Sequence, residues 1–389
     1  MVSWPWTPLL AAVTVAAVAL MLAAPGMGRA TLPFGVRIPP DRVGDPAVLA
    51  ARRGYRTATL LLGAVLMVLG AVAAPVAGPT AAMGAVALAA VAGHLALRVR
   101  AHRAVAAAKR DGEWYRGLAQ AVAVDTGLRT DPVRLPWALL LPSGLLIAAT
   151  VAAGLLVYPD LPAELVVAVE HRGGERLVRT VQTTPFSAFA AVFGQIATAV
   201  LVPGVFAAAL RSRPDIDAAS PKRDAERYRR FLVIAGRCTA GAVFGAVLCL
   251  AGVAALTWTG RMTDGPLVAA ALAPGLLAVA LCSAVPMLLG QGGRRLRSEA
   301  REDETGRVQR DDDRFWRLGG LVYANRQDPA VLVPERAMGV GWTPNLGNPV
   351  VLCIGAGLLI LLAGGAAAAA AGLLSLPGGA DFYGWKWEP

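Results

Sequence analysis

Eight long apolar stretches alternate with polar segments along the chain. They cover about residues 7–28, 57–77, 80–98, 136–157, 184–210, 231–258, 266–290 and 348–375. An α-helix needs about 20 apolar residues to cross roughly 30 Å of hydrocarbon, and the stretches are close to that length. The pattern therefore predicts an all-α membrane protein, built as a bundle of about eight transmembrane helices.

The polar segments divide the predicted protein into five regions. Two runs rich in β-branched residues, 165–169 and 177–181, flank a Gly-Gly pair and predict a small β-hairpin in one outer loop. Strand-like runs at 322–325 and 331–333 flank turn-forming residues and predict a small cytoplasmic β-containing element before the last helix. The regions are a four-span N-terminal part with cytoplasmic loops (1–157), the outer hairpin loop (158–184), spans five to seven (185–290), a cytoplasmic segment (291–348) and the last span with an outer tail (349–389).

Basic residues are concentrated on one side of the predicted bundle. Segments 29–56, 98–135, 211–230 and 291–347, together with Arg237, carry 32 of the 37 Lys and Arg residues. Short loops that are rich in Lys and Arg stay in the cytoplasm. We therefore expect a multi-pass protein of the cytoplasmic membrane with both termini outside.

Composition supports the membrane assignment and changes the interpretation of the charge. The chain is 56% hydrophobic with a mean hydropathy of +0.54, and its net charge is +11. A strongly basic protein can bind nucleic acid, but the one-sided distribution of Lys and Arg already accounts for this charge. We expect the lipid bilayer as a partner and no nucleic acid. The abundance of Ala and Arg is typical of a GC-rich genome, an actinobacterial-type composition.

Catalytic and metal-binding patterns do not emerge from the sequence. The predicted spans contain no Asp or Glu, no CxxC spacing occurs, and the three His residues are scattered. Asp311, Asp312 and Asp313 suggest either a metal site or a solvated acidic run, and we expect the solvated run. The sequence therefore predicts no enzyme, no metal site and no cofactor. The four Cys residues lie in apolar stretches and behave there as small hydrophobic side chains.

Two helices are expected to extend beyond the bilayer on the basic side. Residues 98–124 are predicted to continue the third span as a cytoplasmic helix, with basic residues first and aromatic residues after them. A second helix is predicted to begin at Pro221 with Ser220 as its cap, and to lead into the sixth span. Arginines on such segments favour contact with anionic lipid.

Several polar and small residues inside the spans suggest how the helices contact one another. Arg237 either extends its side chain to the interface or makes an internal contact, and Gln195 is expected to form a hydrogen bond between helices. Gly241 and Gly245 permit close approach of another helix, so an oligomer contact through them is one hypothesis. Prolines in two spans are expected to kink or break their helices: Pro203, Pro274 and Pro286.

The segment before the last span contains a specific pattern of residues. The pattern consists of Trp316, Tyr323, Asn325, Asp328, Pro329, Val333, Pro334, Arg336, Gly339, Gly341, Trp342, Thr343, Asn345, Gly347 and Pro349. It resembles the C-terminal element of bacterial membrane proteins known as domain of unknown function 5808. We expect the stretch 339–350 to form an ordered turn that sets the angle of the last helix, and we call it the elbow. A ligand site in this stretch is the alternative. Asn345 or Asn348 is a candidate cap, and Pro349 suits the first helical turn.

The outer loop carries a second, degenerate resemblance. Leu161, Pro162 and Gly173 fit the element called domain of unknown function 1648, whereas the histidine typical of that element falls near Ala168. The same element occurs in an immunity protein that protects bacteria from a secreted peptide toxin. The resemblance implies a non-enzymatic envelope protein in peptide sensing or immunity, with a peptide or protein partner. A transporter or permease component is the alternative, suggested by the number of spans and the Pro and Gly residues within them.

Overall fold

The computed structural model describes residues 14–15, 18–19, 21–23, 25–77, 79–172, 175–300, 304–336, 341–370 and 384–388. Within these residues the chain is mostly helical. Six helices are long and apolar enough to cross a membrane. The long helices are α1 Pro46–Ala77, α2 Pro79–Asp111, α3 Leu141–Val157, α4 Ala190–Leu210, α5 Pro221–Trp258, α6 Gly265–Leu289 and α7 Pro349–Ala370; α1 to α6 are the six that qualify.

Eight spans are not confirmed. Half of the first predicted span, 7–28, lies outside the described residues. The last corresponds to α7, whose stretch Pro349–Gly364 is apolar but shorter than the other six. The remaining six predicted spans coincide with α1 to α6.

Helices α1, α2 and α5 extend beyond their predicted apolar spans. As predicted, α5 begins at Pro221 and leads into the span. The predicted continuation of α2 to residue 124 is wrong, because the helix ends at Asp111. Glu113 and Gly117 follow with φ angles of 46° and 76°, and this left-handed backbone cannot continue a right-handed helix.

The chain forms two compact units. The first contains residues 1–132, 212–231 and 287–352. Its helices α1 and α2 pack on each other, and a small core lies where the segment before α1 meets them, around Phe34, Val36, Ile38, Tyr55 and Val105. Three two-stranded sheets complete this unit: β1 Gln120–Ala121 with β4 Val308–Gln309, β5 Trp316–Arg317 with β6 Val322–Tyr323, and β7 Leu332–Pro334 with β8 Trp342–Pro344.

The two strand-like runs of the first unit form strands with different partners. Strands lie within the predicted runs 322–325 and 331–333, but these strands do not pair with each other. Instead β6 pairs with β5, and β7 pairs with β8. The physical reason is that side-chain hydrogen bonds bind the turn between the two runs to Asn345, the residue after β8.

The second unit contains residues 133–211, 232–286 and 353–389. Its predicted hairpin is confirmed: β2 Glu164–Arg172 pairs antiparallel with β3 Glu175–Gln182. A third strand, β9 Gly384–Glu388, pairs with β3 and was not predicted. Leu165 and Val181 anchor one face of the sheet on Ala188. A short helical turn, Pro185–Ala188, links the sheet to α4.

Small residues let α5 and α6 pack closely in the second unit. A Cβ atom added at Gly241 would lie 2.6 Å from the Cys282 Sγ atom, and one at Gly245 would lie 2.7 Å from the Gly275 carbonyl oxygen. The close approach that these glycines permit is therefore made within the chain. An oligomer through the same glycines stays a prediction. Helices α4 and α6 run through their prolines without a break.

Candidate functional site

The segment with the family-like pattern is organised around the side chain of Asn345. This side chain is 0% exposed. Its Nδ2 atom donates to the carbonyl oxygens of Asn325, Asp328 and Ala330 at 3.0–3.1 Å. Its Oδ1 atom accepts from the amides of Asn325 and Gly347 at 2.9 and 3.0 Å. One side chain thus binds the turn after β6 to the chain after β8, so β6 is directed away from β7.

Tyr323 and Asp328 form the buried centre beside Asn345. The Tyr323 hydroxyl donates to the Asp328 carboxylate at 2.9 Å, and Arg213 lies 3.2 Å from the same oxygen. The ring of Trp316 packs on Tyr323 with centroids 5.0 Å apart. Gly347 lies so close to the turn that a Cβ atom there would be 2.4 Å from the Asn325 carbonyl carbon. These contacts require a small residue at position 347 and an aromatic donor at position 323.

The start of α7 is fixed by the end of this segment. Asn348 accepts from the Val350 amide at 2.9 Å and donates to the Pro329 carbonyl oxygen at 3.0 Å. Asn348 is therefore the cap of the helix, and Pro349 is its first residue. The side chain of Trp342 lies beside that of Tyr228. These are the contacts of an ordered elbow.

The other residues of the pattern lie around this elbow. Thr343 donates to the Leu321 carbonyl oxygen at 3.1 Å. Gly341 has a φ angle of 105°, which favours glycine. Gly339 lies outside the described residues.

Arg336 connects the elbow to the acidic run. Its side chain is 2% exposed, and its guanidinium group pairs with Asp312 and, at 2.9 Å, with Asp313. The same group lies 4.6 Å from the centroid of the Trp316 ring. A buried cation of this kind needs partners, because removing charge from water is costly.

Two further cations reach the acidic run from distant parts of the sequence. Arg37 contacts Asp312 at 3.1 Å and Asp215 at 3.0 Å. Lys109 contacts Asp311 at 2.8 Å and Asp313 at 2.6 Å. The expectation of a solvated acidic run is therefore wrong. We call these seven residues the charge cluster: Arg37, Lys109, Asp215, Asp311, Asp312, Asp313 and Arg336.

The cations of the charge cluster lower the pKa of two of its carboxylates, Asp215 and Asp312. Burial by itself raises the pKa of Asp215. The positive charges of Arg37, Arg29 and Arg336 lower it by more, so the pKa lies well below its usual range. Burial likewise raises the pKa of Asp312, but Arg336 and Arg37 lower it by more, so its pKa is also below the usual range. The cluster is therefore a set of ion pairs at neutral pH. Such a set has a structural role, because it holds together distant segments of the first unit.

The polar residues inside the predicted spans occupy different environments. Gln195 is buried, and its Nε2 atom donates to the Val247 carbonyl oxygen at 2.9 Å and to the Thr150 hydroxyl at 3.3 Å. It therefore links α4 to α5 and α3. Arg237 is exposed, which agrees with the interpretation that its side chain extends outward.

Groups of potential metal ligands are absent from the part of the chain that the structure describes. No three His, Cys, Asp or Glu side chains there are arranged to hold a metal ion. All four cysteines are free.

The β2–β3–β9 sheet presents a free strand edge. The strand order places β3 in the centre, so β2 is bonded to a strand on one side only among the described residues. The Thr183 amide donates to the Ala163 carbonyl oxygen at 2.8 Å, in register with the pair Glu164 and Gln182. Bonded and non-bonded pairs alternate in antiparallel sheets. The amide of Val166, which is paired with Thr180, therefore points away from β3, towards the outer edge of β2.

Comparisons with known proteins fit this architecture. Six long apolar helices indicate a membrane protein. A model of a family of unknown function (DUF5808) matches residues 326–352, which include the elbow. No curated protein and no solved structure matches the chain. The family match does not include the outer loop, so its resemblance to domain of unknown function 1648 stays a hypothesis.

Sequence reasoning missed the charge cluster and the third strand of the sheet. The cluster draws members from positions 37, 109, 215 and 336, and no local pattern relates them. One signal was present in the sequence: three consecutive aspartates in a basic, membrane-adjacent segment have many cations available as partners.

Proposed function

We propose that this chain is a non-enzymatic bacterial envelope protein that senses a peptide or gives immunity to it. The observation that carries the proposal is the outer edge of β2, a strand of nine residues that pairs on one side only within the described part of the chain. Extended peptides bind exposed strand edges by adding a strand, because main-chain hydrogen bonds supply affinity without a deep pocket.

The sheet is well suited to this role. Leu165 and Val181 are buried in a small core with Ala188, so the sheet is anchored before any peptide arrives. The distribution of basic residues favours the outer face of the membrane for this loop, where a secreted peptide would meet it. The placement of loop and termini stays a prediction.

Edge pairing is tested by removing one outward amide. The Val166→Pro variant deletes the donor at the free edge, and proline is tolerated on edge strands. Val166→Thr keeps both the amide and a β-branched side chain and serves as the matched control. Cells that express each variant are challenged with a panel of peptide antibiotics, and chain abundance is measured in parallel.

The proposal predicts lost protection with Val166→Pro and retained protection with Val166→Thr, at equal abundance. Unchanged sensitivity to the whole panel after deletion of the chain would contradict the proposal. So would full protection by Val166→Pro.

A transporter or permease component is the second candidate. It is favoured by Gln195, a buried polar side chain that links three apolar helices. Polar groups inside membrane spans often mark substrate or ion pathways. Substrate accumulation in proteoliposomes that is lost in Gln195→Leu would favour this candidate over the first.

A further inference from the structure

A groove in the first unit combines a basic rim with an apolar wall. It has a volume of about 610 Å³. One wall is a single face of α2, from Val99 through His102, Arg103 and Ala106 to Arg110, and the other is the chain from Trp316 to Gly319. Residues three and four apart share a helix face, so the α2 wall is continuous.

Three arginines of the groove lack the partners that other cations of this unit possess. Arg103, Arg110 and Arg317 are exposed, and no ion pair joins any of them to a carboxylate among the described residues. Most nearby acidic residues are engaged elsewhere: Asp311, Asp312 and Asp313 in the charge cluster, and Glu113 with Arg116. Asp111, next to Arg110 in the sequence, is an exposed carboxylate that pairs with none of the three arginines in the described part of the chain. With three arginines and one such carboxylate, the groove region carries net positive charge.

The second wall is held firmly against α2. Arg98 donates to the Gly319 carbonyl oxygen at 3.0 Å and to that of Arg336 at 3.2 Å. Leu318, next to Gly319, has a φ angle of 49° and is 55% exposed. A non-glycine residue in this conformation is strained, and here it keeps an apolar side chain in water beside arginines.

The floor of the groove includes an unused donor. Trp316 is 6% exposed, and its indole Nε1–H has no acceptor among the described residues. Arg336 covers the Trp316 ring, so the indole is fixed in place. A buried donor without an acceptor is uncommon in folded proteins.

The position of the groove along α2 identifies its occupant. The apolar part of the helix ends at Leu97, and the groove begins at Val99. At 1.5 Å per residue, Arg103 lies about 7 Å beyond Arg98 and Arg110 about 18 Å beyond it. The headgroup layer is roughly 5–8 Å deep on each side of the hydrocarbon. Arg103 therefore lies at the depth of lipid phosphates, and Arg110 reaches into water beyond them.

We propose that this groove binds the phosphate headgroup of an anionic phospholipid. Arg103 and Arg317 contact the phosphate, Arg110 adds positive charge on the water side of the headgroup layer, and Leu318 lies against the acyl region. Basic side chains beside exposed apolar ones are the usual means of binding an anionic membrane surface. This inference does not depend on the peptide-binding role of the β2–β3–β9 sheet.

The test compares two variants with the same change in net charge. The groove variant replaces Arg103, Arg110 and Arg317 by Gln. The control variant replaces Arg307, Arg310 and Arg326 by Gln, which are exposed arginines of the same unit outside the groove. Each full chain is purified from mixed micelles in which phosphatidylglycerol is the minor lipid and phosphatidylcholine the major one. Mass spectrometry then measures how strongly phosphatidylglycerol is enriched on the protein.

The groove variant is expected to lose enrichment by roughly fivefold per arginine, and the control variant to retain it. Equal enrichment in the groove variant and the wild type would overturn the proposal. Replacement of the same three arginines by Lys retains the charge and is expected to restore most of the enrichment.

Two further measurements distinguish a lipid headgroup from free phosphate in the groove. Inorganic phosphate is added to the wild type as the soluble ligand. Thermal stabilisation by phosphate that is lost in the groove variant, without any lipid enrichment, would overturn the lipid assignment. Should the groove variant not fold, the wild type alone decides: its enrichment is expected to fall at high salt, and salt-independent enrichment would contradict the proposal.

Discussion

The two compact units satisfy their buried polar groups in different ways. The first unit buries charges and pairs them, with Arg336 and Arg37 each contacting two aspartates. In the second unit Gln195 is a buried neutral side chain that links three helices by hydrogen bonds, and glycines allow α5 and α6 to pack closely. Charged pairs are tolerated near water, whereas apolar spans favour neutral contacts and close packing. The units should therefore respond differently to pH and to the loss of one polar group.

Acidification should have the largest effect, and only in the first unit. The pKa values of Asp215 and Asp312 are lowered in the folded chain. Their stabilisation is therefore complete above the unfolded pKa of about 3.9 and is lost as pH falls from there towards the folded values. Hydrogen exchange, corrected for its intrinsic pH dependence, should show β5 and β6 losing protection below about pH 4 while α4 keeps it. An equal loss of protection in β5 and β6 and in α4 would contradict this difference between the two units.

Arg336→Met should have the largest effect of any single substitution. It removes one of the two cations that contact each of Asp312 and Asp313, and breaking a buried pair costs about 3–5 kcal/mol of the free energy of unfolding. Arg310→Met, an exposed position in the same unit, should change it by less than about 0.5 kcal/mol. Denaturant unfolding of the purified chain measures the free energy of unfolding of both variants. Similar losses in the two would show that the charge cluster does not stabilise the first unit.

Asn345→Ala should destabilise the elbow by about 2–3 kcal/mol. The substitution leaves several buried backbone groups of the turn after β6 without their partner. Asn348→Ala removes a helix cap and should cost about 1 kcal/mol. Trp342→Ala adds a functional readout: reduced chain abundance supports the elbow, while normal abundance with an altered phenotype favours a ligand site.

Gln195→Leu should have the smallest effect. Hydrogen bonds between membrane helices contribute about 0.6 kcal/mol on average, and leucine fills a similar volume. Unfolding in mixed micelles measures the change. A loss as large as that of Arg336→Met would show that the second unit depends on its polar contact as strongly as the first unit does.

Much of the helical architecture could be predicted because it is local in the sequence. Apolar length identifies α1 to α6, and alternating β-branched residues identify β2 and β3. The start of α5 followed from Pro221 in the same way. The end of α2 was missed because basic and aromatic residues are compatible with a helix, whereas the backbone turns at Glu113.

The candidate sites were harder to predict because they depend on contacts between distant residues. Asp312 gains Arg37 and Arg336 only in the folded chain, so a sequence window contains no sign of the pairing. The partner of β6 could not be predicted for a similar reason, since Asn345 lies 20 residues from its partner Asn325. The groove on α2 likewise needs a wall from the segment 316–319.

The proposed receptor role is tested most directly by amide exchange on the full chain in the presence of a peptide against which it protects. Peptide addition to the outer edge of β2 predicts slower exchange at the amide of Val166. Leu165, whose amide already faces β3, should change little. Protection that appears elsewhere and leaves Val166 unchanged would contradict the account.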